Sequence, residues 1–150
     1  MNSFICDHCH ENVPISMEMA VRNRNHCPHC LWSKHVDDTV PGDRASVCDG
    51  MMKPVGLTLK KTKPDKYGKT REAGELMLVH RCTGCEKLGI NRIAADDDTD
   101  MILETFARSQ QMENDQKEAL ERGHIHLLSK EYQKEVITQL FGNPSARRVD

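Results

Sequence analysis

The chain has 150 residues, a formal net charge of −2 and 4% aromatic residues, which leaves room for one domain or two small ones. Leu, Ile, Val and Phe supply 30 of those residues, near the lower edge of what builds an ordinary core, so something besides apolar burial must help hold the fold. The longest apolar run, residues 76–79, is far short of the roughly 20 residues of a membrane span. The Met-Asn-Ser-Phe-Ile-Cys-Asp start shows neither the basic leader nor the apolar stretch of a secretory signal. A cytoplasmic, reducing setting is therefore expected, and seven cysteines there read as metal ligands before they read as disulfides.

Residues 1–35 carry two Cys-x-x-Cys pairs, Cys6/Cys9 and Cys27/Cys30, and no sustained helical period. Short strands and turns around a metal are expected there. Pro41-Gly42, Asp49-Gly50 and Pro54 mark residues 36–54 as a loop that contains Cys48. Residues 55–59 alternate apolar and polar or small, and residues 76–79 form a short apolar run of good strand formers. The polar stretch between them, with Pro64, Gly68 and Gly74, makes this a hairpin with a long connector. Its far end delivers Cys82 and Cys85.

From Asp96 onward the pattern is helical. Acids at 96–98 and 100 suit a helix start, and Ile102, Leu103 and Phe106 share one face. A second helix is expected over 113–122, ended by Gly123. Ser129 is the expected cap of a third, whose stripe is Tyr132, Val136, Ile137, Leu140 and Phe141 and whose stop is Gly142-Asn143-Pro144. The expected organisation is a metal-binding unit over 1–98, a helical tail over 99–142 and a loose C-terminus over 143–150. The fold class is small α+β, with two zinc-ribbon or knuckle sites on short strands and a hairpin, and a helical appendage.

Zinc takes four tetrahedral ligands from Cys and His, commonly delivered as knuckle pairs. Cys6, Cys9, Cys27 and Cys30 form a complete four-thiolate set. Cys48, Cys82 and Cys85 form three-quarters of a second. Seven cysteines plus one histidine make eight ligands, so two Zn²⁺ ions per chain are expected. His35, on the same arm as Cys48, is the preferred eighth ligand. His80, two residues before Cys82 on a strand and so facing the same side, is the alternative. His8, His10, His26 and His29 lie in or beside the first knuckles, where hydrogen-bonding or surface roles are the ordinary outcome.

Charge is unevenly spread. Residues 51–73 hold Lys53, Lys60, Lys61, Lys63, Lys66, Lys69 and Arg71 against Asp65 and Glu72, whereas residues 93–121 hold nine acids against Arg108 and Lys117. The first segment, with Tyr67 in its middle, could meet phosphates and stack a base; the second could not. Arg22, Arg24 and Lys34 add cations beside the second knuckle, where no acid falls between residues 19 and 36. Trp32, the only tryptophan, reads as a core residue between the two metal sites in preference to a base-stacking platform.

At Arg24-Asn25-His26-Cys27-Pro28 the chain resembles the RNHCP domain family, named from those five residues. The resemblance continues through Cys30-Leu31-Trp32-Ser33, His35-Val36-Asp37, Pro41-Gly42-Asp43-Arg44, Cys48 and Gly50-Met51, and resumes at His80-Arg81-Cys82, Cys85 and 91–97. It covers roughly residues 4–98 and implies a small bacterial zinc-ribbon-like protein without naming a task. Asn91, Arg92, Asp96 and Asp97 read as hydrogen-bonding support for the ligands.

Three kinds of function fit these observations. The leading one is a non-enzymatic module that uses structural zinc and binds nucleic acid, RNA rather than DNA, or a ribonucleoprotein partner. Its candidate contacts are Arg22, Arg24, Lys60, Lys61, Lys63, Lys66, Tyr67, Lys69 and Arg71. An alternative is a metal-dependent phosphodiesterase or nuclease, with His35, Asp37, Asp38, Asn91 and Arg92 as machinery. A third is a protein–protein adaptor that uses the helical stripes, although packing of those stripes on the ribbons is the better expectation. No membrane partner and no small-molecule substrate is implied.

Overall fold

The computed structural model describes residues 3–14, 26–34, 48, 50–60, 74–94 and 96–142. A two-stranded antiparallel sheet comes first, β1 (Ser3–Ile5) paired with β2 (Asn12–Pro14). A four-stranded antiparallel sheet follows, in the order β3 (Ser33–Lys34), β4 (Met51–Lys60), β5 (Glu75–Cys82) and β6 (Leu88–Arg92). Helices α1 (Thr99–Ser109), α2 (Asn114–Arg122) and α3 (Gln133–Phe141) complete the described chain, with a 3₁₀ turn at Lys130–Tyr132 leading into α3. The class is small α+β, as the sequence implies.

The local signals explain most boundaries. Asp98 caps α1, its carboxylate accepting from the N–H groups of Asp100 (2.9 Å) and Met101 (3.2 Å). Gly123 ends α2, and Gly142 ends α3 in the left-handed region at φ 76°. Ser129 differs from expectation: it precedes the 3₁₀ turn but makes no side-chain cap hydrogen bond.

β4 also begins earlier than expected. Met51 to Pro54 belong to the strand rather than to the loop that ends at Pro54. The ladder shifts register between Pro54 and Gly56, and such a bulge accommodates a proline that has no N–H to give. β6 was not foreseen at all; it is a short edge strand of half-exposed residues.

The sheet and helices share one core. Leu57, Leu76 and Leu78 from β4 and β5 pack with Ile102, Leu103 and Phe106 of α1, Leu128, and Val136 and Ile137 of α3. The stripes read as helical faces therefore cover the sheet. Two polar contacts fix this docking. Leu128 N–H donates to the Leu57 carbonyl (2.9 Å), and Thr58 Oγ1 donates to the His126 carbonyl (2.7 Å), so the segment before α3 covers part of β4. At the start of β5, the Gln139 amide accepts from Leu76 N–H (2.8 Å) and donates to the Gly74 carbonyl (2.9 Å).

The hairpin sets the long axis. Lys60 pairs with Glu75, and Met52 pairs with Cys82. The connector between the strands thus leaves from one end of the sheet, while the cysteines sit at the other, about 25 Å away at roughly 3.3 Å per residue. Phe106→Ala should cost about 3–5 kcal/mol in chemical denaturation, because it empties the shared core. Phe4→Ala, at a side chain 37% exposed, should stay within about 0.5 kcal/mol.

Candidate metal centres

All three Cys-x-x-Cys turns are built alike. The N–H of the first cysteine donates to the carbonyl five residues on: Cys6 to Glu11 (3.0 Å), Cys27 to Trp32 (2.9 Å) and Cys82 to Lys87 (2.8 Å). Its carbonyl accepts from the N–H four residues on, from His10 (2.9 Å), Leu31 (2.8 Å) and Glu86 (3.0 Å). That fourth residue lies in the left-handed region each time, at φ 65°, 67° and 66°. A non-glycine residue there costs roughly 1–2 kcal/mol, and the same departure three times over marks one tightly closed turn. Inside each turn, backbone N–H groups aim at the first sulfur. His8 and Cys9 donate to Cys6 Sγ (3.4 and 3.5 Å), His29 to Cys27 Sγ (3.4 Å) and Cys85 to Cys82 Sγ (3.5 Å). Hydrogen bonds of this kind favour thiolate over thiol.

The first two turns face each other. Cys6 Sγ lies 3.7 Å from Cys30 Sγ, and Cys9 Sγ lies 3.6 Å from Cys27 Sγ. A disulfide would need about 2.05 Å, whereas four sulfurs about 2.3 Å from one tetrahedral ion stand roughly 3.8 Å apart. The cluster thus has the dimensions of a metal site, and Cys6, Cys27 and Cys30 are buried. Burial pushes the Cys27 thiol up to about 11, against backbone N–H groups that lower it, and burial raises Cys30 as well. Burial also opposes ionisation of Cys6, but the Cys9 and His8 N–H groups outweigh it and hold that thiol low. One thiolate among buried neighbours is tolerable; four need a cation among them.

The third turn builds the second cluster. Cys48, Cys82 and Cys85 bring their sulfurs within 4.8 Å of one another, with Cys48 Sγ 3.6 Å from Cys82 Sγ. The Gly50 N–H favours ionisation of Cys48, but the Cys82 sulfur, together with some burial, raises that thiol on balance. Glycines make the close approach possible. A Cβ at Gly50 would lie 2.9 Å from Cys82 Sγ and 3.2 Å from Cys48 Sγ, and one at Gly84 would lie 3.3 Å from Cys48 Sγ. Thr83 ties this turn to the start of β4, with both its N–H and its hydroxyl donating to the Met51 carbonyl (2.8 Å each). Both clusters can therefore hold a metal ion.

His35 lies outside the described residues, as do Arg22, Arg24, Lys61, Lys63, Lys66, Tyr67, Lys69 and Arg71. Lys60 ends β4 and is exposed. His80 is fully buried and stands apart from the three-sulfur group. Its Nε2–H donates to the Leu31 carbonyl (2.6 Å), and its Nδ1 accepts from the Asn91 side-chain amide (2.9 Å). Both ring nitrogens are thus engaged by protein groups. Burial pushes the ring down to about 4, which keeps it in this neutral form.

Beside it, at 6.0 Å between ring centroids, His26 meets Asp97 through Nε2 and Oδ2 at 2.7 Å. The same carboxylate oxygen accepts from Ala94 N–H (2.8 Å), and Asp98 N–H donates to the Pro28 carbonyl (2.8 Å). Asn91 and Asp97 therefore support the knuckles as expected, through histidines that neighbour the ligands. Arg92 does not; it donates from Nε and Nη2 to Glu75 (3.2 and 3.1 Å) at the far end of the hairpin. The sequence does not reveal which histidine each support residue meets, since Asp97 and His26 are 71 positions apart. Trp32 is half-buried against the first cluster and stacks on the exposed His8 ring, with centroids 4.0 Å apart and planes 7° from parallel.

The family model of the RNHCP domain matches residues 1–103, a span that takes in both clusters and ends within α1. Comparisons with curated proteins and with solved structures find no match.

Gly50→Ala should weaken the second site while leaving the first loaded. Titration with a coloured chelator should then show one tightly held metal equivalent where the unaltered chain shows two. Asp97→Ala should cost about 3 kcal/mol in denaturation, because it strips partners from the buried His26 Nε2 and the half-buried Ala94 N–H.

Proposed function

We propose that this chain, which belongs to the RNHCP domain family, is a zinc-stapled module that binds RNA, either free or within a ribonucleoprotein. Zinc suits thiolate-rich tetrahedral sets that carry no redox duty. Cys6, Cys9, Cys27 and Cys30 would hold one ion. Cys48, Cys82 and Cys85 would hold the other, with His35 as the fourth ligand. The ions supply folding energy, on the order of 10 kcal/mol in favourable peptides.

A site with four protein thiolates keeps no open position for a water or a substrate, which favours binding over catalysis. Two of the residues named for a phosphodiesterase are engaged elsewhere, Asn91 with His80 and Arg92 with Glu75, and His35, Asp37 and Asp38 lie outside the described residues.

The hairpin register is the observation that carries the proposal. Lys61, Lys63, Lys66, Lys69 and Arg71 all fall between Lys60 and Gly74 in the sequence, and Lys60 pairs with Glu75 at the end of the sheet opposite the cysteines. The acids of residues 93–121 belong instead to the helices and the turn before α1. A segment with this excess of cations in a chain of net charge −2 has a local partner to meet, and phosphates are the natural one.

Purified protein should carry two zinc equivalents and retain single-stranded RNA at low salt. Its log affinity should fall linearly with log salt, and replacing Lys60, Lys61 and Lys63 with Gln should reduce that slope by about two to three. Absence of any RNA retention at 20–50 mM salt, a range in which such contacts should be strong, would end the proposal.

A further inference from the structure

We infer that the His8–Trp32 stack on the first metal cluster is the seat of an unpaired base of the bound RNA. The inference rests on the RNA reading above and assigns it a second, distinct contact. Trp32 packs against the sulfur cluster of Cys6, Cys9, Cys27 and Cys30. His8 lies over it as a nearly parallel ring, 4.0 Å away and 7° from coplanar. His8 is itself exposed. The cluster thus ends in two stacked aromatic rings, one half-buried and one at the surface.

Three physical points favour a base as the occupant. First, a base adds to such a stack through its π face whatever its sequence, and each stacked base contributes about 1–3 kcal/mol. Second, the platform is held rigid. His8 sits inside the first knuckle, its N–H bonded to Cys6 Sγ (3.4 Å). Trp32 follows the second knuckle, its carbonyl accepting from Cys27 N–H (2.9 Å). Little conformational freedom remains to be lost on binding. Third, the described stretch that carries Trp32, residues 26–34, holds Lys34 and no acid. That charge suits a phosphate chain running past the ring. Within a duplex the base pairs above and below cover each base's faces, so the seat selects unstacked bases of single strands.

The test uses the full zinc-loaded chain and a fluorescently labelled twelve-residue oligoadenylate, with a duplex of the same length beside it. His8→Ala should weaken single-strand binding about tenfold, within the range for loss of one stacked base. His8→Phe, which keeps a flat ring and removes any imidazole charge, should restore it. Binding to the duplex should not respond to either change. Trp32 is the only tryptophan, so its emission should shift on addition of the single strand. Metal content and amide dispersion serve as folding controls.

If the unaltered chain binds the oligonucleotide but His8→Ala binds it equally well with both metals in place, the base seat is wrong and the RNA reading stands. If the unaltered chain binds no RNA, both are wrong. A Trp32 response to a protein partner instead of RNA would likewise overturn the seat.

Discussion

The fold depends on sulfurs held at 3.6–3.7 Å, too far apart to bond to each other and close enough to share an ion. Each knuckle spends a left-handed residue to close its turn and aims backbone N–H groups at a sulfur. Those local arrangements need a reason to persist, because buried thiols resist ionisation and crowded thiolates repel. A bound cation would supply that reason. With 30 residues of Leu, Ile, Val and Phe in 150, the chain has little apolar surface to spare for the first ribbon. The packed residues there are Val13, Trp32 and the cysteines themselves.

The metal-dependent and apolar parts are joined through Leu31. Its backbone closes the second knuckle, its side chain enters the core of sheet and helices, and its carbonyl accepts the hydrogen bond of His80 Nε2–H. Asp97 and Asp98 make the same junction from the helical side, through His26 and Pro28. A disturbance at the first cluster therefore reaches β5 and the start of α1 through hydrogen bonds that are buried and hard to replace. Among the described residues His26 Nδ1 and Asp97 Oδ1 are buried with no partner, so within them this junction is tightly drawn without being fully satisfied.

Legibility in the sequence followed the range of the interaction. Cysteine pairing, a helix start among the acids of residues 96–100 and the stops at Gly123 and Gly142 are encoded within a few residues, and they read correctly, with Asp98 as the cap among those candidates. So did the grouping of Cys48 with Cys82 and Cys85, which needed only a count of ligands. What could not be read was set by partners distant in the chain. Pro54 signals a break, yet a bulge opposite β5 absorbs it. Leu88 to Arg92 is too short and too polar to announce itself; only pairing with β5 makes it a strand. Ser129 has the chemistry of a cap, but its side chain makes no cap bond. His80 faces the protein because Leu31 and Asn91 engage its nitrogens, a fact written 49 and 11 positions away.

The same distinction separates the two ends of the molecule. At one end, short-range turns and sulfur geometry fix atoms in place, which is what a stacking surface requires. Between β4 and β5 the sequence concentrates cations, and attraction to phosphate needs charge more than it needs a fixed shape. About 25 Å of β-strand separates the cysteines from Lys60 and Glu75, between which that segment runs in sequence. A single strand of RNA is long and jointed, and it can satisfy a rigid contact and a diffuse one at that separation. A compact folded partner would have to match both in one surface. On the proposed reading, an extended, anionic, unpaired chain would meet the rigid sulfur cluster through one contact and the lysine-rich segment through another.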